Sequence, residues 1–218
     1  MTDGDCLICG GRFTKRTMTR HLQKCLPAAW QPAPRAKPRD AFHLIVEALY
    51  DKEYWLHLVA GADAALADLD GFLRALWLEC CGHLSAFTIG DLTYSDPMFE
   101  LGDASDQVKL GRVLTKGLEF RHDYDFGSTT TLKLRVAGPL QLPLGTHEVR
   151  LAARNLAPER LCECGEPAVM VCSYCAWDAE GWLCAECAAE HECGDEALLP
   201  VVNSPRCGVC AYGMTDDE

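Results

Sequence analysis

The sequence predicts an α+β protein: a mainly antiparallel sheet with one principal helix, flanked by two small zinc-binding modules. Three observations carry this. Residues 41–157 alternate short β-branched and aromatic runs with a single helical apolar stripe. Fourteen of the 218 residues are cysteine, three of them before residue 26 and nine from 162 onward. Apolar residues make up 49% and charged ones 24%, which suits a chain with a packed core and excludes a wholly disordered one.

The N-terminal module, residues 1–26, holds Cys6, Cys9, His21 and Cys25 in the order C-x2-C-x11-H-x3-C. Zinc takes four soft or borderline ligands in a tetrahedron, and His21 and Cys25, four apart, share one face of a helix. Gly10 and Gly11 follow Cys9 where the chain must turn, and Phe13 and Met18 stand where a small finger keeps its apolar core. The pattern resembles a single C2HC zinc finger. Arg12, Lys15, Arg16, Arg20 and Lys24 surround it, and Thr14, Thr17 and Arg20 fall at helix positions that often meet bases. DNA or RNA is therefore a candidate partner, although one finger offers a small interface.

Residues 27–40 contain Pro27, Pro32, Pro34 and Pro38. Prolines at this density oppose helix and sheet pairing, which predicts an extended Pro-rich linker from Leu26 to Asp40 with a reach of roughly 45 Å. The finger is thus expected to be tethered and mobile rather than packed.

In the middle domain, residues 41–157, strands are expected at Ala41–Val46 and Tyr54–Ala60. Leu66, Leu69, Leu73, Leu76, Trp77 and Cys80 recur at helical spacing, with Asp63 as the expected N-cap and Gly82 beyond the C-terminus. Further strands are read at Leu84–Ile89 and Leu92–Tyr94, in a hairpin of Leu118–Phe126 and Thr129–Val136 turning at Gly127-Ser128, and at Glu148–Ala152. His83, His122, Asp123 and Asp125, or the thiols of Cys80 and Cys81, offer acid–base or nucleophilic chemistry in principle. Cys80 reads better as part of the buried stripe, His83 as a partner of a free helix carbonyl, and Asp125 as a turn former. No phosphate loop or nucleophile elbow accompanies them, so no enzyme is expected.

The segments WLECCGHLSAFTIG (77–90) and FRHDYDFGSTTTLKLRV (120–136) resemble the two signature stretches of the plasmid pRiA4b ORF-3-like family, which includes TnpR-like passenger proteins of an insertion element. His83, Leu84 and Phe87 fit its H-L-x-x-F segment, and Tyr124, Asp125, Phe126 and Gly127 its Y-D-F-G turn. Ser128 stands where the family usually has an acidic residue, and the Trp that often follows is missing. The resemblance implies an α+β domain associated with mobile elements and brings no chemistry with it.

Residues 158–218 form a cysteine-rich two-zinc module with a tail. Cys162, Cys164, Cys172, Cys175, Cys184, Cys187, His191 and Cys193 make four close pairs, enough for two closed tetrahedral sites of a structural kind. The alternation resembles cross-braced modules such as MYND and B-box domains. That implies Cys162, Cys164, Cys184 and Cys187 on one zinc and Cys172, Cys175, His191 and Cys193 on the other, with sequential pairing as the alternative. Cys207 and Cys210 repeat C-x2-C without a partner pair, and their tail is expected to be a loop packed on the module, with a ligand or redox role for the two thiols as the alternative.

The total expected is three zinc ions per chain. Charge divides the partners: residues 1–40 carry eight Lys/Arg against three Asp, whereas 161–218 carry one against twelve acidic residues. The acidic end would repel phosphate, so a protein partner is expected there. No apolar run is long enough to span a membrane, and MTDGDCLICGG lacks the basic-then-apolar pattern of a secretory leader. A cytoplasmic, thiol-preserving setting is therefore expected.

Overall fold

The computed structural model describes residues 2–30, 37–99, 101–176 and 180–214. In chain order its elements are β1 (Asp3–Cys6), β2 (Arg12–Thr14), α1 (Lys15–Ala29), β3 (Pro38–Ala48), β4 (Trp55–Gly61) and α2 (Leu66–Leu73). Next come β5 (Ser85–Ile89), β6 (Leu92–Ser95), β7 (Ala104–Ser105), α3 (Leu110–Val113), β8 (Glu119–Tyr124), β9 (Thr130–Pro143) and β10 (Val149–Asn155). The C-terminal part holds β11 (Met170–Cys172), β12 (Trp182–Leu183), α4 (Ala185–Ala189) and β13 (Leu198–Pro200).

Ten strands form one sheet in the order β2-β1-β10-β4-β3-β9-β8-β5-β6-β7, antiparallel except between β6 and β7. Side chains alternate across it. Leu56, Leu58 and Ala60 of β4 enter the core under α2, together with Leu44, Val46, Leu132, Leu134 and Trp77. Trp55 and Val59 point the other way, into a second core built with Met18, Leu22 and Leu26 of α1.

The N-terminal module is packed, which corrects the expectation of a tethered finger. β1 pairs with β10 at Gly4↔Asn155, Asp5↔Arg154 and Cys6↔Ala153, so the finger extends the central sheet. A finger alone has little core, and the edge of β10 and the apolar face of α1 supply what it lacks. The approach is close at Gly4, where a Cβ would collide with the Trp55 ring and the Arg154 carbonyl. The linker is correspondingly shorter than expected. α1 continues through Pro27 to Ala29, β3 begins at Pro38, and Pro32 and Pro34 lie outside the described residues. Proline removes one helix hydrogen bond at Pro27, but burial of Leu26 and Trp30 outweighs that loss.

In the middle domain the expected strands form, with two differences of extent. β9 runs to Pro143 rather than stopping near Val136, because β3 pairs with it past Gly138 and Pro139 through an irregularity at His43/Leu44. The main helix is shorter than its stripe. α2 ends at Leu73, a widened π-type turn covers Arg74–Leu78, and Glu79 is extended. Trp77 is fully in the core, and Cys80 packs half-buried against its margin. Asp63 does not cap the helix: Ala65 is the N-cap, its N–H donates to Asp68 Oδ2 at 2.7 Å, and Asp63 pairs with Arg39.

The tail packs on the cysteine module as expected, with Leu198–Pro200 paired to β11 and Gly208 against Val171 and Ala176, and from Asn203 onward it also docks on the middle domain. Ser204 Oγ donates to the Trp77 carbonyl at 2.7 Å, Trp77 Nε1 donates to the Asn203 carbonyl at 3.0 Å, Asn155 Nδ2 donates to Asn203 Oδ1, and Asn203 Nδ2 donates to the Asn155 backbone carbonyl. Arg160 ties the cysteine module to the same domain through Asp51 and Glu53 while lying over the Tyr54 and Trp182 rings.

Beneath α1, the buried rings of His43 and His57 share a hydrogen bond of 2.8 Å. Burial, and then the Arg135 charge, holds His43 down at about 4; His57 is held well below its ordinary value, by burial and then by His43. Both are neutral in the folded protein and take protons on unfolding once pH falls below about 6.5. Their contribution is therefore fully present above about 6.5 and is lost as pH falls toward about 4, by on the order of 3 kcal/mol for His43. Thermal melts between pH 7 and 4.5 should show His43→Asn losing less stability with acid than the parent chain. Parallel curves would contradict this.

Candidate metal centres and the basic face of the first helix

The sheet edge and its flanking turns bring the predicted ligands together in three groups. Each group presents one sulfur or ring nitrogen per residue, all within 4.8 Å of one another. In the first, Cys6 ends β1 and Cys9 follows on the tight turn where Gly10 has φ of +74°, while His21 and Cys25 come from α1. Cys6 and Cys25 sulfurs lie 3.9 Å apart, and Cys9 Sγ lies 3.4 Å from His21 Nε2. Ligands of a tetrahedral zinc stand roughly 3.6–3.8 Å apart, so the cage has the right size for such an ion. Phe13 stacks on His21 at 3.8 Å, fixing the ring, and burial lowers the His21 pKa, favouring the neutral imidazole that binds metal.

In the C-terminal module, Cys162, Cys164, Cys184 and Cys187 form one group and Cys172, Cys175, His191 and Cys193 the other. Pair one joins pair three and pair two joins pair four, the alternating arrangement. Cys164 and Cys184 sulfurs are 3.7 Å apart, as are Cys175 and Cys193. The crowding has an electrostatic consequence. Cys162 is drawn down to about 6, chiefly by the backbone N–H of Cys164, while Cys187 is pushed up to about 12 through its hydrogen bond to Cys162. Similarly, Cys175 is pushed up to about 12, first by Cys193. Four adjacent thiols cannot all ionise unless a cation takes their charge.

These groups can hold metal ions, and their sulfur-rich donor sets suit zinc rather than hard cations. All cysteines are free thiols. A fourth group, Cys80, Cys81, His83 and Cys210, converges within the same limit and was not read from the sequence. Its signal was the surplus of four cysteines outside the three predicted sets, with a histidine beside one pair.

The basic residues separate into two kinds. Arg12 is paired with Asp5, and Lys15 reaches Glu47 at 3.2 Å and the Lys52 carbonyl at 2.8 Å. Arg16, Arg20 and Lys24 are exposed on α1 and follow one another at intervals of four, one stripe on the helix. Thr14 and Thr17 are not free to meet bases: Thr14 caps α1, accepting from the Thr17 N–H at 3.3 Å, and their hydroxyls are bonded to each other.

Of the polar residues that offer acid–base chemistry, His83 Nε2 and Asp125 Oδ2 come within 3.6 Å of each other, and His122 and Asp123 are engaged elsewhere. His122 is buried against Asp70 at 2.7 Å, and Asp123 accepts from Thr131 and pairs with Arg121. Asp125 caps the turn at Gly127 and Ser128 and pairs with Arg206. His83 joins the fourth cysteine group instead of bonding a helix carbonyl.

No family model matches the chain, and no curated protein does. Among solved structures, the protein of unknown function MM3350 from Methanosarcina mazei Go1 is similar at 19% identity with a TM-score of 0.45. That likeness covers 53% of this chain and 68% of that one. Among the described residues no helix is long and apolar enough to cross a membrane.

Proposed function

We propose that the protein is a non-enzymatic zinc-binding adaptor, with zinc in the finger and in both sites of the C-terminal module. In this reading the exposed stripe Arg16, Arg20 and Lys24 contacts DNA or RNA, and the acidic C-terminal module meets a protein. The middle domain, which resembles the pRiA4b ORF-3-like family, in this reading associates the protein with mobile elements, and the chain's free thiols suit a thiol-preserving cytoplasm. The observation that carries the nucleic-acid half is the stripe itself: three cations on one helix face, with no ion-pair partner among the described residues. Three phosphate contacts would give a salt slope of about −2.7 in log K against log salt.

Binding of the zinc-loaded protein to labelled duplex and single-stranded probes should be measurable at low salt. The double variant R16E/R20E should weaken it at least tenfold and flatten the slope by roughly two. Absence of binding at low salt, or binding indifferent to those changes, would leave a protein–protein scaffold as the function. The crowding of acidic residues in 161–218 favours that second reading.

A further inference from the structure

We propose that Cys80, Cys81, His83 and Cys210 form a fourth zinc site, which fastens the C-terminal tail to the middle domain. The four side chains come from two regions about 130 residues apart in sequence, and no sequence motif joins them. Cys81 Sγ stands 3.6 Å from Cys80 Sγ, 3.3 Å from Cys210 Sγ and 3.0 Å from His83 Nε2; Cys210 Sγ stands 3.6 Å from the same nitrogen. The two 3.6 Å edges match those of a zinc tetrahedron, roughly 3.6–3.8 Å, and the 3.0 and 3.3 Å edges at Cys81 are tighter than it. Three thiolates and one imidazole form a closed set suited to zinc and unsuited to magnesium or calcium.

The backbone is shaped for this convergence. Gly82 at φ +77° turns the chain so that His83 comes back toward the Cys80–Cys81 pair. Cys210 itself sits at φ +57°, a left-handed conformation that is strained for a non-glycine residue and persists where the surroundings enforce it. A supporting shell is also in place. Arg206 Nη2 donates to Cys80 Sγ at 3.4 Å, the Cys80 N–H donates to the Tyr124 hydroxyl, and the Tyr124 ring meets His83 edge-on. A buried guanidinium donating to a thiolate is the kind of partner that orients a metal ligand and offsets its charge. All four donors come from protein, so the site leaves no position for a reacting water and acts as a fastener.

The test is native mass spectrometry of the full chain purified with reductant and without added metal. The parent protein should carry four zinc ions, and Cys210→Ser and His83→Asn should each carry three. Cys207→Ser, altered on the same tail at a thiol that only accepts from the Val202 N–H and bonds the Pro200 carbonyl, should keep four. Three ions in the parent, four in Cys210→Ser, or a Cys81–Cys210 disulfide seen as a loss of two mass units would overturn the fourth site alone. A count of zero would instead overturn the zinc reading on which it rests.

Discussion

Stripping the metal with a strong chelator is expected to unfold residues 158–200 while the central sheet stays folded. The reason is the size of what would remain. The core of the module has four fully or nearly buried apolar residues, Cys172, Leu183, Ala188 and Ala197, and two of its strands have three residues and one has two. So small a core cannot offset the conformational entropy of ordering the segment. Structural zinc contributes an apparent ~10–16 kcal/mol in small fingers, as much as the whole stability of an ordinary domain. The middle domain has an independent core of more than twenty residues under α2. Hydrogen exchange after chelation should therefore show amides of β11, β12 and α4 losing protection, with β3, β4 and β9 retaining it. Cys172→Ser should act like the chelator on the module. Retained protection in β11 and β12 would show that the metal is dispensable.

Replacing Arg206 with leucine is expected to cost about 3–5 kcal/mol, the usual result of leaving one charge of a buried pair unpartnered. Arg206 is fully buried and Asp125 nearly so, 2.6 Å apart. The other guanidinium nitrogen donates to the Ser128 carbonyl and to Thr130 Oγ1, and the group lies over the Tyr124 ring at 4.8 Å. Removing it leaves Asp125 desolvated and frees the tail from the β8–β9 turn. Asp125→Asn keeps its hydrogen-bonding shape and should cost less. The double variant should cost less than the two single ones added. Denaturant unfolding of the metal-loaded protein measures all three, and a cost under 1 kcal/mol for Arg206→Leu would contradict the assigned role.

Local patterns were legible and distant meetings were not. The β-branched and aromatic content of Tyr54–Ala60 marks a strand, though not that both its faces are buried, and the finger ligands stand at readable spacing. Proline density misled, because Pro27 and Pro38 were weighed without the unpaired edge of β10 or the apolar side of α1. The helical stripe placed Cys80 with the core, and it does pack half-buried at the core's margin, but periodicity does not register the π-type turn at Arg74–Leu78 that widens the helix before it. Arg206 is the sole basic residue among the last 58, which in hindsight singles it out, yet nothing local says that Asp125 awaits it. The fourth cysteine group has the same character: its pieces are visible at 80–83 and 210, and only the tail's course over Trp77 brings them together.

The central claim is that the clustered thiolates and imidazoles are held by tetrahedral zinc. Zinc K-edge absorption of the protein as purified tests it most directly. The account predicts four-coordinate zinc with Zn–S distances of about 2.3 Å and sulfur outnumbering nitrogen by at least four to one. A shell dominated by oxygen or nitrogen, or zinc-free protein with its cysteines joined as disulfides, would contradict it.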